Sequence, residues 1–312
     1  QEMNDAIYKS KNDGVMHACG HDVHTTCMLG AAMILNENKH SFEGTIKLIF
    51  QPGEELAPGG ASIMIKEGAL ENPKPSAIIG LHVFPELPVG VVGFREGQYM
   101  ASADEIYIDV IGKGGHAALP HKTIDPIAIA AQIIVALQQI VSRRSNPIIP
   151  SVLTFGKIQG GNANNVIPDI VKIEGTFRTF DEEWRHEALD IIKQMSTQIA
   201  IANGANAYVR IPDGYPSLFN APKLTHQLRN AAEQYLGNES VVTLEMRMTG
   251  EDFSFYTQHM DGCFFRLGNN KDNQQYNIPV HNAQFDIDEN ALSVGAGMMA
   301  YLGLNALQTR ES

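Results

Sequence analysis

Hydrophobic positions in the first hundred residues follow two different spacings. Residues 23–36 repeat their apolar side chains with a helical period, and residues 60–67 have the pattern of a short helix. The runs TIKLIF (residues 45–50) and AIIGLHV (residues 77–83) are apolar almost throughout, as strands are when helices cover both faces of their sheet. This part of the chain therefore predicts an α/β fold around a mostly parallel sheet.

From residue 104 the pattern changes to the order β-α-β-β-α-β. That order is typical of a ferredoxin-like α+β unit, and its elements are expected at residues 105–111, 124–142, 151–159, 166–179, 182–203 and 207–211. Helical patterns resume after Pro216, at residues 223–236 and 288–304. We therefore predict a smaller domain, residues 104–215, inserted into a larger one formed by residues 1–103 and 216–312.

Composition narrows the classes of function. The 312-residue chain has a formal net charge of −12 and no run of Lys or Arg, so neither nucleic acid nor an anionic membrane surface is an expected partner. The most apolar stretch, residues 126–141, is interrupted by glutamines and is shorter than the ~20 residues of a membrane span, so we expect a buried helix. Three cysteines cannot form a disulfide framework, which favours a reducing, cytoplasmic location.

A dense group of metal-ligand residue types stands near the N-terminus, in His17-Ala-Cys19-Gly-His21-Asp22-Val-His24. Cysteine thiolate and neutral imidazole are ligands of zinc and related divalent ions. In an extended backbone, alternate side chains of this segment would project to one side. The segment predicts a metal site, while its spacing leaves open which of the three histidines bind.

Further candidates stand at the ends of predicted strands. The pair Glu54-Glu55 follows the strand predicted for residues 45–50, and His82 is near the end of the next one. Ligands of open α/β sheets gather at the carboxyl ends of strands, where one carboxylate could bind metal and the other act as a base. His281, in a polar loop before the last predicted helix, completes a set sufficient for one or two metal ions.

The predicted inserted domain has polar candidates of its own. Its segment GKGGHAALPH (residues 112–121) lacks the Gly-Lys-Ser/Thr of a phosphate loop, so its glycines are expected to turn tightly and present His116. Asn165 lies in the segment NANNVIP. Arg178 could hold a carboxylate with two parallel hydrogen bonds, or could equally be a solvated strand residue. The segment TGEDFSFY (residues 249–256) is too rich in functional groups for a plain turn, but its role does not follow from the sequence.

Taken in order, nine segments resemble the bacterial and plant amidohydrolases related to aminoacylase. That family includes auxin-conjugate hydrolases, hippurate hydrolases and N-acetyl-diaminopimelate deacetylases. The segments lie within residues 15–304 and are HACGHD-V-H, FQPGEE, GLHV, GKGGHAALPH, NNVIPD, GTFRT, TGEDFSFY, FFRLG and VHNAQFDIDENAL. The resemblance implies a zinc-peptidase-like catalytic domain and an inserted domain that serves as a lid and as the surface of a homodimer.

The resemblance also implies a role for each site residue. Two divalent ions, of manganese, zinc, cobalt or nickel, would be held by Cys19, His21, Glu55, His82 and His281. Glu54 would be the general base and proton shuttle, and His116 would stabilise the oxyanion in its own site or in that of a partner subunit. Asn165 and Arg178 would hold polar groups of the substrate, an N-acyl amino acid, including its carboxylate.

Two alternatives stay open at this point. The same metal chemistry would serve a dipeptidase or a carboxypeptidase. The resembling proteins also carry roughly a further quarter of a chain ahead of the HACGHD segment, which ends in a strand with an Asp that orients a metal-bound histidine. We expect that strand to precede Gln1, so residues 1–312 alone would have an incomplete sheet and low solubility or activity. A non-catalytic metal-binding remnant is the second alternative.

Overall fold

The computed structural model describes residues 1–270 and 278–308. Within these ranges the α-helices are α1 (His21–Glu37), α2 (Gly60–Lys66), α3 (Pro126–Gln139), α4 (Glu182–Ala202), α5 (Pro222–Leu236), α6 (Ser254–Thr257) and α7 (Asn290–Gln308). The strands are β1 (Ala77–Pro88), β2 (Val92–Phe94), β3 (Gly97–Met100), β4 (Asp104–Ile111), β5 (Gly115–His116), β6 (Ser151–Gln159), β7 (Val166–Ile167), β8 (Ile170–Thr179), β9 (Asn206–Arg210), β10 (Leu218–Asn220), β11 (Val241–Thr243) and β12 (Asp261–Asn270).

One four-stranded sheet has the order β1-β12-β2-β11. Two of its pairings, β1 with β12 and β2 with β11, are parallel, and β12 with β2 is antiparallel. Successive residues of β12 enter different apolar clusters: Phe265 and Leu267 pack with α1 and α7, whereas Phe264 packs with Tyr99 and Phe253. The sheet is therefore buried on both faces, and the prediction of an α/β fold with a mostly parallel sheet is confirmed.

A second four-stranded sheet is antiparallel and has the order β6-β8-β4-β9. Together with α3 and α4 it follows the predicted β-α-β-β-α-β order. Both helices begin at an aspartate whose carboxylate accepts from backbone N–H groups, Asp125 for α3 and Asp181 for α4. The helices bury Ile133 and Ile192 against strand residues such as Ile108. We call these elements the inserted sheet layer; the domain boundaries at residues 104 and 215 stay a prediction.

The structure corrects two predictions of strands and adds a strand that was not predicted. Residues 45–50 form no strand, because the described residues provide no backbone hydrogen bonds to them; instead they line, with β1, a groove of about 400 Å³. The single strand predicted for residues 166–179 is two, β7 and β8, interrupted at Pro168, which has no N–H to donate. The strand β12, one of the two inner strands of the four-stranded sheet, was not predicted from the sequence.

One described helical segment, Pro126–Arg144, is long and apolar enough to cross a membrane by length and composition alone. Its residues Ile129, Ile133 and Leu137 are buried in the core of the inserted sheet layer. One face of the helix therefore packs against a core, whereas Ile127 and Val135 are exposed, so the helix is only partly buried.

Candidate metal centre

Cys19 and His21 lie where the chain enters α1. Gly20 between them is the N-cap residue, with a left-handed φ of 75°. A Cβ atom at this position would lie 2.7 Å from Cγ2 of Val83, so glycine supplies both the turn and the close approach to β1. The backbone is not extended here, and the turn at Gly20, rather than strand alternation, brings the ligand atoms of Cys19 and His21 together.

His82 is held on β1 so that one ring nitrogen faces Cys19. Its Nδ1 lies 2.8 Å from the carbonyl of Val83, which can only accept, so Nδ1 carries the proton. The other nitrogen, Nε2, is 3.4 Å from Sγ of Cys19. The ring of His24 lies 4.5 Å from that of His82, and its Nε2 accepts from the N–H of Val83. Burial lowers the pKa of both histidines well below the usual value, so both are neutral.

His281 reaches the same place from the other end of the sequence. Its Nε2 lies 3.1 Å from Sγ of Cys19, 262 residues away, and 3.4 Å from Oε1 of Glu55. Its backbone is left-handed, with a φ of 64°, which costs a residue other than glycine about 1–3 kcal/mol. The N–H of His281 donates to the carbonyl of Ala18, and this bond holds the loop against the Cys19 segment.

The five predicted metal ligands form two groups that share Cys19. Within each group the ligand atoms lie within 4.8 Å of one another; one group is Cys19, His21 and His82, and the other is Cys19, Glu55 and His281. A thiol, imidazoles and one carboxylate are donors that suit zinc and similar transition ions better than calcium or magnesium. The geometry and the donor chemistry therefore fit divalent metal ions.

Glu54 lies beside these ligands. Its Oε2 is 3.8 Å from Nε2 of His21, and its backbone carbonyl accepts from the hydroxyl of Tyr215 at 2.6 Å. Burial raises the pKa of Glu54, and the negative charges of Glu251 and Glu55 raise it further. Burial, and then Glu55, also raises the pKa of the Cys19 thiol. The ionised forms are disfavoured in the protein alone, and bound cations would reverse both shifts.

Sequence reasoning missed the roles of two buried carboxylates next to Glu54. Glu251 is 7% exposed and Asp252 is 1% exposed, and both have a carboxylate oxygen within 4.8 Å of one on Glu54. They belong to the TGEDFSFY segment, whose functional groups were visible but whose burial was not. Arg266 of β12, itself buried between the rings of Phe84 and Tyr99, lowers the pKa of Glu251 against the larger opposing effect of burial.

His116 and Asn165 lie together, but apart from the metal ligands. His116 is on β5, which pairs with β7, and the carbonyl of Asn165 accepts from the N–H of Ala117. The Nδ1 atom of His116 accepts from the N–H of Ala118 at 3.1 Å, so its proton is on Nε2. Both side chains are exposed, and in the described ranges neither belongs to a ligand group.

Arg178 of β8 is closer to the centre. Its Nη1 lies 3.3 Å from where a Cβ of Gly250 would stand, next to Glu251 in sequence. Its Nε donates to Oγ1 of Thr176, and burial lowers the pKa of the guanidinium. The inserted sheet layer thus contacts the segment that carries the buried carboxylates.

Comparison with known proteins identifies the family. Residues 1–305 match the family described as Peptidase family M20/M25/M40. The chain is 45% identical over 285 residues to N-acetyl-L-cysteine deacetylase of Bacillus subtilis, which covers 91% of this chain and 66% of that protein. It is 41% identical over 311 residues to IAA-amino acid hydrolase ILR1-like 4 of Arabidopsis thaliana, covering 98% of this chain and 70% of that protein.

A solved structure indicates the same family as these sequence relatives. The chain superposes with a TM-score of 0.81 and 36% identity on a dinuclear metal-binding peptidase of the M20 family from Bacillus subtilis, covering 99% of this chain and 78% of that one. The resemblance to aminoacylase-related amidohydrolases is thereby confirmed. Because the family match covers residues 1–305, the chain belongs to peptidase family M20/M25/M40.

Proposed function

We propose that this chain hydrolyses the amide bond of N-acyl amino acids. The observation that carries the proposal is the convergence on one place of Cys19, His21, Glu55, His82 and His281. Two similar proteins are named for N-acetyl-L-cysteine and for IAA-amino acids, which supports this substrate class. The dinuclear metal site of the M20 relative supports two divalent ions, of manganese, zinc, cobalt or nickel.

Each ligand would have a defined part in the proposed centre. The ions would be held by Cys19, which belongs to both ligand groups, together with His21, His82, Glu55 and His281. Bound there, the ions would polarise the scissile carbonyl and lower the pKa of a water molecule. Neutral imidazoles are the form that binds metal, and His82 is kept neutral by burial and oriented by its bond to Val83.

Glu54 would be the general base. Its carboxylate lies beside the ligand groups, within 4.8 Å of ligand atoms of His21 and Glu55, but unlike Glu55 it is in neither group that contains Cys19. Near the cations its raised pKa would fall, so that it is ionised at neutral pH. Glu54 would take the proton of the attacking water and pass it to the leaving amine.

Residues of the inserted sheet layer would bind the substrate. His116 would donate from Nε2 to the oxyanion, which typically contributes ~3–4 kcal/mol. Arg178, beside Gly250, and Asn165 would hold the carboxylate and other polar groups of the substrate. Because His116 lies outside the ligand groups, its role needs the layer of the same subunit or of a partner to approach the metal centre. We therefore propose the inserted domain, residues 104–215, as lid and homodimer surface; a cytoplasmic location stays a prediction.

A substrate panel tests the proposal. Protein loaded with manganese, zinc, cobalt or nickel is incubated with N-acetyl amino acids, N-benzoyl amino acids and dipeptides, and release of free amino acid is measured. We expect cleavage of the N-acyl substrates and no cleavage after chelation or in Glu54→Gln. Preferential cleavage of dipeptides would favour the peptidase alternative. Stoichiometric metal without turnover on any substrate would favour the non-catalytic alternative.

A further inference from the structure

The two central carboxylates stand on a loop with little regular structure of its own. Glu54 and Glu55 belong to residues 52–59, between Gln51 and the start of α2. The turn bond within this loop runs from the N–H of Gly59 to the carbonyl of Leu56, beyond both glutamates. Contacts from outside the loop must therefore determine where the two carboxylates lie.

One buried side chain contacts both ends of this loop. The two oxygens of Asp252 each accept from Nε2 of Gln51 at 2.8 Å, immediately before the loop. Oδ2 of Asp252 also accepts from the N–H of Ala61 at 3.0 Å, immediately after it. Asp252 is 1% exposed, and its own carbonyl accepts from the N–H of Phe255, so it is fixed to the start of α6.

The loop ends are close enough for one carboxylate to span them. A Cβ at Gly60 would stand 1.6 Å from the carbonyl oxygen of Pro52, so only glycine permits this approach. Between the ends, the hydroxyl of Tyr215 donates to the carbonyl of Glu54 at 2.6 Å. The loop is thus held at both ends by Asp252 and near its middle by Tyr215.

We infer that Asp252 is a positioning residue for Glu54 and Glu55. Both of its oxygens already accept from N–H donors, which suits a carboxylate that orients a loop better than one that binds metal. By holding the loop ends together it sets the place of Glu55 relative to Cys19 and His281. The inference rests on the proposed function of the loop, and it adds a residue just before α6 to those that form the site.

The test is the variant Asp252→Asn with Asp181→Asn as its matched control. The same substitution at Asp181, the N-cap residue of α4, removes a carboxylate charge far from the loop in sequence and leaves an amide oxygen to accept from the Trp184 N–H. Hydrogen exchange is measured on metal-free protein, and metal affinity and stoichiometry by calorimetry. For Asp252→Asn we expect faster exchange in residues 51–61, unchanged stoichiometry, and metal affinity lower by about 10–100-fold. The control should match the wild type in both readouts.

A second variant covers the case in which Asp252→Asn fails to fold. Gln51→Leu removes the same contact from the other side and leaves the bond to Ala61 in place, so it should weaken metal binding in the same direction by a smaller factor. Kinetics should show a lower kcat with unchanged KM. Wild-type metal affinity in every folded variant of the pair overturns the inference, whether or not exchange is faster.

Failure of the proposed function would look different. It would appear in the substrate panel, as preferential cleavage of dipeptides or as stoichiometric metal without turnover on any substrate. The exchange and affinity readouts for Asp252→Asn need no substrate, so they report on the loop even if the substrate class is wrong.

Discussion

The inserted sheet layer and the sheet that carries His82 differ in the sequence range of their contacts. In the layer, strands β4, β6, β8 and β9 all pair within about a hundred residues, and the elements follow one another in the predicted order. In the other sheet, Ala77 of β1 pairs with Asp261 of β12, and the proposed ligands Cys19 and His281, which meet next to His82, come from opposite ends of the chain. The inserted sheet layer forms from contacts between residues close in sequence, which the sequence pattern predicts well. The candidate metal centre forms from contacts between residues far apart in sequence.

Amide exchange should give the largest contrast between the two regions. The amides of residues 45–50 have no backbone partner in the described ranges. The amides of β8 are hydrogen-bonded within the sheet and exchange only when much of the protein unfolds. We therefore expect residues 45–50 to exchange roughly 1,000-fold faster than β8, or more. Exchange mass spectrometry measures both. Equal protection would show that residues 45–50 are paired.

Substituting each glutamate should separate proton transfer from metal binding. Glu54→Gln should keep its metal and lose turnover by about 10²–10⁴-fold, because it removes the general base alone. Glu55→Gln should lose metal as well. Elemental analysis and kcat measured on both variants check this. If Glu54→Gln lost metal and Glu55→Gln kept it, Glu54 would be the ligand and Glu55 the general base.

Core truncations should show whether the layer acts as a separate support. Phe177→Ala, in the layer, should lower the free energy of unfolding by about 3–5 kcal/mol while metal affinity stays unchanged, because its side chain is fully buried in that cluster. Phe265→Ala should cost a similar amount and also weaken metal binding, since Phe265 pairs with Leu81 beside His82. Denaturant unfolding and calorimetry measure the two effects. Identical metal loss in both variants would show that the layer is not a support separate from the metal centre.

The stability of metal-free protein should fall as pH rises from 6.5 to 8. Burial raises the pKa of Glu54 and Glu251 in the folded protein. Carboxyls of the unfolded chain are already ionised in this range, so folding takes up protons and becomes less favourable at higher pH. The pKa values of His21, His24 and His82 are lowered in the folded protein, so these histidines affect the free energy of unfolding below this pH range. There, falling pH destabilises the folded protein, because the histidines of the unfolded chain take up protons first. Thermal melts should show the decline, and saturating metal should abolish it. A pH-independent melt would contradict these shifts.

The smallest effect is expected on the exposed side of the layer. Lys157 of β6 and Glu174 of β8 form an ion pair at 2.7 Å, with both side chains more than a third exposed. Lys157→Ala should change the free energy of unfolding by about 1 kcal/mol or less, with activity unaltered. Double-mutant cycles with Glu174→Ala measure this; a larger coupling would mean that the pair is less solvated than its exposure indicates.

Sequence reasoning was strongest where a residue's neighbours along the chain decide its structure. The helices α1, α4 and α5 and the strands of the layer follow from periodicity and from caps such as Asp181. It failed for residues 45–50 and for β12, because a strand depends on partners elsewhere in the chain. The metal ligands were assigned through residue chemistry and family resemblance, whereas the buried state of Asp252 could not be assigned at all.

The amino-acid sequence determines the residue types of the metal centre, the α/β and ferredoxin-like patterns, and the glycine at position 20 that lets Cys19 and His21 turn together. The folded structure alone decides that Cys19 belongs to two ligand groups and that Asp252 contacts both ends of the glutamate loop. It also decides which buried carboxylates repel one another. The physical reason is range: periodicity and turn chemistry act over a few residues, while distances between ligand atoms and the burial of charges depend on how segments hundreds of residues apart pack together.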